Sequence, residues 1–170
     1  MRRQWLIALI VFLIFIIGAG FIIYLFYTDG DSQYTLRIEN PVLGLSDEDA
    51  VNAFNESFVL YLLASIGAGN LHNAPFSSAF PTLEIVVSDV HYNAVVEDGR
   101  IKVDRGDVPD EDIRIISSAG EAVKMMRDKN FIENSFRSGA SQIELVAGKA
   151  ELFAKGYLQI YRELTGKDAE

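Results

Sequence analysis

Between Asp104 and Asp112 the chain reads "DRGDVPDED", which sets five carboxylates, Asp104, Asp107, Asp110, Glu111 and Asp112, into one short stretch. Carboxylates at that density are the raw material of a calcium loop or of an acid–base pair. A calcium loop needs oxygen ligands at fixed offsets and a glycine at its sixth position, and this spacing lacks that register. Aspartate is favoured in turns because its side chain hydrogen-bonds nearby backbone, so the cluster reads as solvated turns. The two histidines, His72 and His91, fall in a loop and a strand, with no H-E-x-x-H pair and no cysteine beside them, which gives no zinc set. No G-x-S-x-G elbow, P-loop or dinucleotide fingerprint occurs. An enzyme would have to be assembled from Tyr92, His91 or the turn carboxylates, with His91 in hydrogen-bond reach of a carboxylate in a cleft. The sequence therefore nominates no catalytic residue, no metal and no cofactor. Asn55-Glu56-Ser57 fits a glycosylation sequon, but it falls in the middle of an expected helix, where the acceptor is poorly accessible.

The remaining chemistry is apolar. Phe58, Leu62, Met125, Met126, Phe131, Ile132, Phe136, Phe153 and Tyr157 come from helices expected on one side of a sheet. They either close the core or line a cavity for an acyl chain or isoprenoid. Methionine suits the second role, because an unbranched thioether adapts to variable ligands. Such a pocket needs few polar groups, and each buried CH₂ contributes about 0.8 kcal/mol. Cavity volume separates the two readings. A ligand pocket occupies roughly 300–1,000 Å³; a packed interior marks an interaction module.

These residues must be placed by a small set of elements. Ser46 and Asp49 have capping-box character and open a helix that runs past Val51, Phe54, Phe58, Leu62 and Ile66 to Gly67. A loop with Pro75 and Pro81 follows. Leu83, Ile85 and Val87 then alternate, as do Tyr92, Ala94 and Val96, and Asp98-Gly99 signals a two-residue hairpin into Ile101 and Val103. "DIRII" begins a further strand. Ser118 with Glu121 starts another helix, Asn130 caps a short one ending at Gly139, "QIELV" is the last strand, and 149–164 is one amphipathic helix with Leu152, Phe153, Tyr157, Ile160 and Leu164 on one face. The fold class is α+β, with a mainly antiparallel five-stranded sheet covered by helices on one face and preceded by one transmembrane helix.

That membrane helix is Trp5 to Tyr27, which holds no charged residue. At 1.5 Å per residue it spans about 34 Å, enough for a hydrocarbon core of about 30 Å. The apolar run exceeds the ~7–15 residues of a cleaved signal and no A-x-A-like site follows, so it reads as a signal anchor. Arg2 and Arg3 place the N-terminus in the cytoplasm and the later domain outside. The chain thus divides into a cytoplasmic segment 1–4, the span 5–27, a linker with a possible edge strand at 28–45, and a domain at 46–166. Of 15 basic and 24 acidic residues only Arg2 and Arg3 precede the span, leaving 13 basic against 24 acidic and a formal charge of −11. That balance excludes nucleic acid as a partner; the bilayer is engaged through the N-terminal helix.

The run "VVEDGRIKVDRGDVPDEDIRIISSAGEAVKMM" has a strand, a "DG" hairpin, a strand, a Gly-containing turn, an acidic approach to "IRI" and a Ser-capped helix. With "RSGASQIELVAG" and the final helix, this order resembles the sterol carrier protein 2 (SCP2-like) family over about Ser46 to Gly166. The "SGASQ" lead-in is longer than that family's usual start, and the loop from Gly67 to Pro81 departs from it. The resemblance implies binding of lipids or other long apolar molecules between sheet and helices. The expected function is a membrane-anchored, non-catalytic lipid or hydrophobic-ligand binding and transfer domain. The rival is an extracytoplasmic protein–protein interaction module with a filled core.

Overall fold

Asp98 and Gly99 have φ of 49° and 75°, so both turn residues are left-handed, as a type I′ hairpin requires. In the computed structural model, which describes residues 38–169, this turn joins β2 (Val90–Glu97) to β3 (Arg100–Arg105), with Glu97 opposite Arg100. A second tight turn, Ser88-Asp89, with φ of 47° and 66°, joins β1 (Thr82–Val87) to β2. The chain then crosses to the other side of β1. There β4 (Ile113–Ser117) pairs with β1 in parallel, from Leu83 opposite Ile113 to Val87 opposite Ser117. β5 (Gln142–Leu145) adds antiparallel to β4, completing the order β3-β2-β1-β4-β5.

The sheet is therefore mixed. Its outer pairings are antiparallel as expected, but the central β1–β4 pairing is parallel. "LEIVV" and "IRII" are nearly continuous apolar runs, the form common in strands that pair in parallel. One face carries Leu83, Ile85, Tyr92, Ala94, Val96 and Ile115, all buried. Among the described residues six α-helices accompany it: α1 (Asp47–Asn52), α2 (Glu56–Ser65), α3 (Ala119–Arg127), α4 (Asn130–Ser138), α5 (Lys149–Lys155) and α6 (Tyr157–Thr165). Ser46 Oγ accepts from the Asp49 N–H at 3.1 Å and Ser118 Oγ from the Glu121 N–H at 3.2 Å, so both expected caps are present.

Each of the two long helices read from the sequence is broken. The first stops at Asn52, and Asn55, in extended backbone, restarts it with its Oδ1 accepting from the Ser57 N–H at 2.9 Å. A short polar side chain that competes with the helical backbone also makes a good cap. Asn55 is exposed at this junction rather than inside a helix. The second breaks at Gly156, whose φ of 90° ends α5 and starts α6. Asn130 is the first residue of α4 instead of its cap; Asp128 Oδ1 accepts the Asn130 N–H at 2.9 Å. Of the expected linker at 28–45, the described part, residues 38–45, packs on the folded domain. Val42 is buried, and Asn40 donates its side-chain amide to the Met126 carbonyl at 2.7 Å.

The apolar run Trp5–Tyr27, its flanks and residues 28–37 of the expected linker lie outside the described residues; residues 38–45 hold no strand. Among the described residues no helix is long and apolar enough to cross a membrane.

Candidate functional site

On the apolar side of the sheet a cleft remains where α2, α3 and α4 meet the central strands. Leu62, Leu63 and Ile66 face Ile85, Ile115, Met125 and Phe136 there, and Ser117 is the one polar residue of the lining. The Ser117 hydroxyl pairs with Ser141 Oγ at 2.8 Å, Ser141 with Ser135 at 2.9 Å, and Ser135 donates to Glu121 at 3.0 Å. The volume of the cleft is ≈ 30 Å³, about a tenth of the smallest ordinary ligand pocket and room for roughly one or two water molecules.

Three of the residues nominated from sequence, Leu62, Met125 and Phe136, meet around this cleft. Phe58 is buried against Phe54, with ring centres 5.2 Å apart. Met126 and Ile132 are core residues. Phe131 is half-buried, with the Lys124 ammonium 5.8 Å from its ring centre. Phe153 is 74% exposed. The break at Gly156 removes the continuous helix that would have put Phe153 on one face with Tyr157. Tyr157 is buried, but its hydroxyl is committed to Asp112 at 2.9 Å. Val59, Leu63 and Ile66, which the nominations omit, complete the roof from the same helix as Leu62.

The acidic stretch is only partly solvated turn, because Glu111 and Asp112 are buried. Asp112 Oδ1 accepts from Lys155 Nζ at 2.7 Å, and Oδ2 from the Thr82 N–H at 2.8 Å and from Tyr157. Its carbonyl accepts the N–H groups of Val146 and Ala147, at 3.0 and 2.9 Å. One residue thereby joins β1, the loop after β5, α5 and α6. Burial opposes the charge on Lys155, yet its bonds to Asp112 and Glu151 outweigh that and raise its pKa above the ordinary value. Burial, then Asp112, push the Tyr157 phenol up as well. Lys155 was detectable in principle: it lies three residues after Leu152, on the buried stripe of its helix.

On the other face of the sheet Glu84 is 4% exposed. Its Oε1 lies 2.8 Å from His91 Nδ1, and its Oε2 is bonded by Arg114 Nε. Arg114 also contacts Glu111 and Glu144. Asp107 Oδ1 approaches His91 Nδ1 to 3.2 Å. Burial tends to raise the Glu84 carboxyl, but His91 and Arg114 prevail and hold it below its usual range. The hydrogen bond to Glu84 raises His91, against the weaker effect of burial. His91 thus has a carboxylate within reach, as an enzyme reading requires, but neither residue lines the interior cleft or the crevices beside α5 and α6. The sequence signal for Glu84 was a lone carboxylate inside "LEIVV".

No protein-family model matches the sequence, and no curated protein does. Among solved structures the chain is similar to one described as UbiJ-SCP2, a ubiquinone synthesis protein, at 17% identity over 65% of this chain and 80% of that one, with a TM-score of 0.37. It is similar also to sterol carrier protein 2 like 2 from Aedes aegypti, at 18% identity over 60% of this chain and 92% of that one, with a TM-score of 0.34. These scores describe a likeness in shape and not membership of a family.

Proposed function

We propose that the domain is a non-catalytic docking module, held outside a membrane by the apolar segment Trp5–Tyr27, that binds another protein through its surface. The observation that carries this reading is the small size, ≈ 30 Å³, of the apolar cleft under α2, α3 and α4. A lipid-sized guest has no ready space in that cleft, so the apolar residues that line it act as core. The surface offers what the interior lacks. Beside α5 and α6 a crevice of ≈ 550 Å³ is bordered by Phe153, Leu158, Lys149 and Arg162, with His72 and one carboxylate, Asp168, also on its rim. An exposed aromatic flanked by two cations, on an otherwise acidic domain, suits an apolar side chain flanked by carboxylates.

A second reading is favoured by the cleft lining, which is apolar apart from Ser117. In it a lipid-like molecule enters by displacing Leu62 and Met125 and places a polar end at Ser117. Two measurements on the full-length chain in its native membrane decide between them. A photo-crosslinker at Gln159, which borders the crevice, should give one protein adduct that Phe153→Ser abolishes, while a crosslinker at Lys102 on β3 should not. Native mass spectrometry should show no apolar adduct. A lipid adduct together with an absent crosslink would overturn the docking reading in favour of the second.

A further inference from the structure

We propose that Glu84, His91 and Asp107 form a binding site for one divalent cation of the zinc class, on the face of the sheet opposite the helices. Each of the three residues offers one ligand atom, and these atoms all lie within 4.8 Å of one another; His91 Nδ1 is 2.8 Å from Glu84 Oε1 and 3.2 Å from Asp107 Oδ1. They come from β1, from β2 and from the loop after β3, which is why no spacing in the sequence reveals them. Glu84 lies opposite Asn93 and Val86 opposite His91, so Glu84 and His91 are diagonal neighbours on one face. Asp107 is brought over them by the turn at Gly106, whose N–H donates to the His91 carbonyl at 2.9 Å. The Gly106 φ of 128° is one that a side chain would resist.

Two of the three donor separations are close to what a tetrahedral ion needs. Bonds of about 2.0–2.2 Å to zinc imply donor separations of roughly 3.4 Å. The His91–Asp107 separation is 3.2 Å and the His91–Glu84 separation 2.8 Å, so the second must open by about half an ångström as the Nδ1 proton leaves. Glu84 is held for the role. Its other oxygen is bonded by Arg114, which fixes the orientation of the carboxylate. Arg114 contacts Glu84, Glu111 and Glu144, so its positive charge is compensated by three carboxylates. Asp107 is 82% exposed, which leaves the fourth position open to water. An imidazole with two carboxylates selects zinc-like ions over magnesium and calcium, which favour oxygen-only shells.

The test is isothermal titration of the full-length chain in detergent with ZnCl₂ and, separately, with CaCl₂. One zinc ion should bind per chain, calcium should not compete, and the His91 imidazole resonances should shift. Asp107→Asn, at an exposed position, and His91→Gln should each weaken zinc by about tenfold or more, and His72→Gln should leave it unchanged. Unchanged zinc affinity in Asp107→Asn and His91→Gln, or no stoichiometric zinc uptake by the parent chain, overturns the proposal. Loss of thermal stability in those variants without zinc uptake by the parent would mean that the three residues form an ion-pair network only.

Discussion

Asp112 shows how much one side chain can decide. It is bonded at once to Lys155, Tyr157 and the Thr82 N–H. Both charged partners are almost wholly buried, so removing one strands the other out of water. Asp112→Ala and Lys155→Met should each cost about 3–5 kcal/mol in chemical denaturation of the full chain, and Asp112→Asn combined with Lys155→Met should recover part of the loss. Additive costs would show that the pair does not act as a unit. The pH dependence follows from the directions. Lys155 and Tyr157 are both raised above their ordinary values of 10.5 and 10.0. Their contribution is therefore fully present below about pH 10 and is lost as pH rises through the folded values. The unfolding midpoint should fall above about pH 10, and fall less in the double variant. In sequence Asp112 is indistinguishable from Asp110 two residues before it. Only the second is left in water, because β4 begins at Ile113 and turns Asp112 under the C-terminal helices.

At the scale of elements, local signals were reliable where local forces decide. The Asp98-Gly99 hairpin and the Ser46 and Ser118 caps follow from neighbouring residues alone. Helix breaks followed from less visible choices. Asn55 has helical neighbours at the right spacing, yet its side chain caps α2, and the kink lets Phe54 pack on both Phe58 and Tyr92, with ring centres 5.2 and 6.3 Å apart. Asn55→Ala should cost about 1 kcal/mol and Asn55→Asp much less, since aspartate caps as well as asparagine; thermal melts of the two variants check this. Equal losses would mean that the cap contributes nothing beyond side-chain packing. At Gly156 the helix break sends Phe153 into solvent, where it borders the crevice with Leu158 and Arg162. An i, i+4 count across the break places it beside Tyr157.

For the molecule as a whole, the central quantity is the space left between sheet and helices. An interior at native density leaves few voids larger than a water molecule, and ≈ 30 Å³ among Leu62, Met125 and Phe136 meets that standard. Met125→Ala should therefore destabilise the protein by about 2–5 kcal/mol and open a dry cavity that takes up xenon or benzene, as the parent chain does not. Probe uptake by the parent chain, or a negligible cost, would show that the interior is already loose enough to admit a guest.

The sequence by itself determined the α+β class, the hairpin, the Ser46 and Ser118 caps and the identity of most core residues, because periodicity and turn chemistry act over a few residues. The tertiary structure alone decided that β1 and β4 run parallel, that Asp112 is a buried hub and that Glu84, His91 and Asp107 converge. Each of these joins positions far apart in the chain, and no local preference fixes which partner such a position meets. Whether nine apolar side chains enclose a cavity or fill it depends likewise on the volume left when all of them pack together.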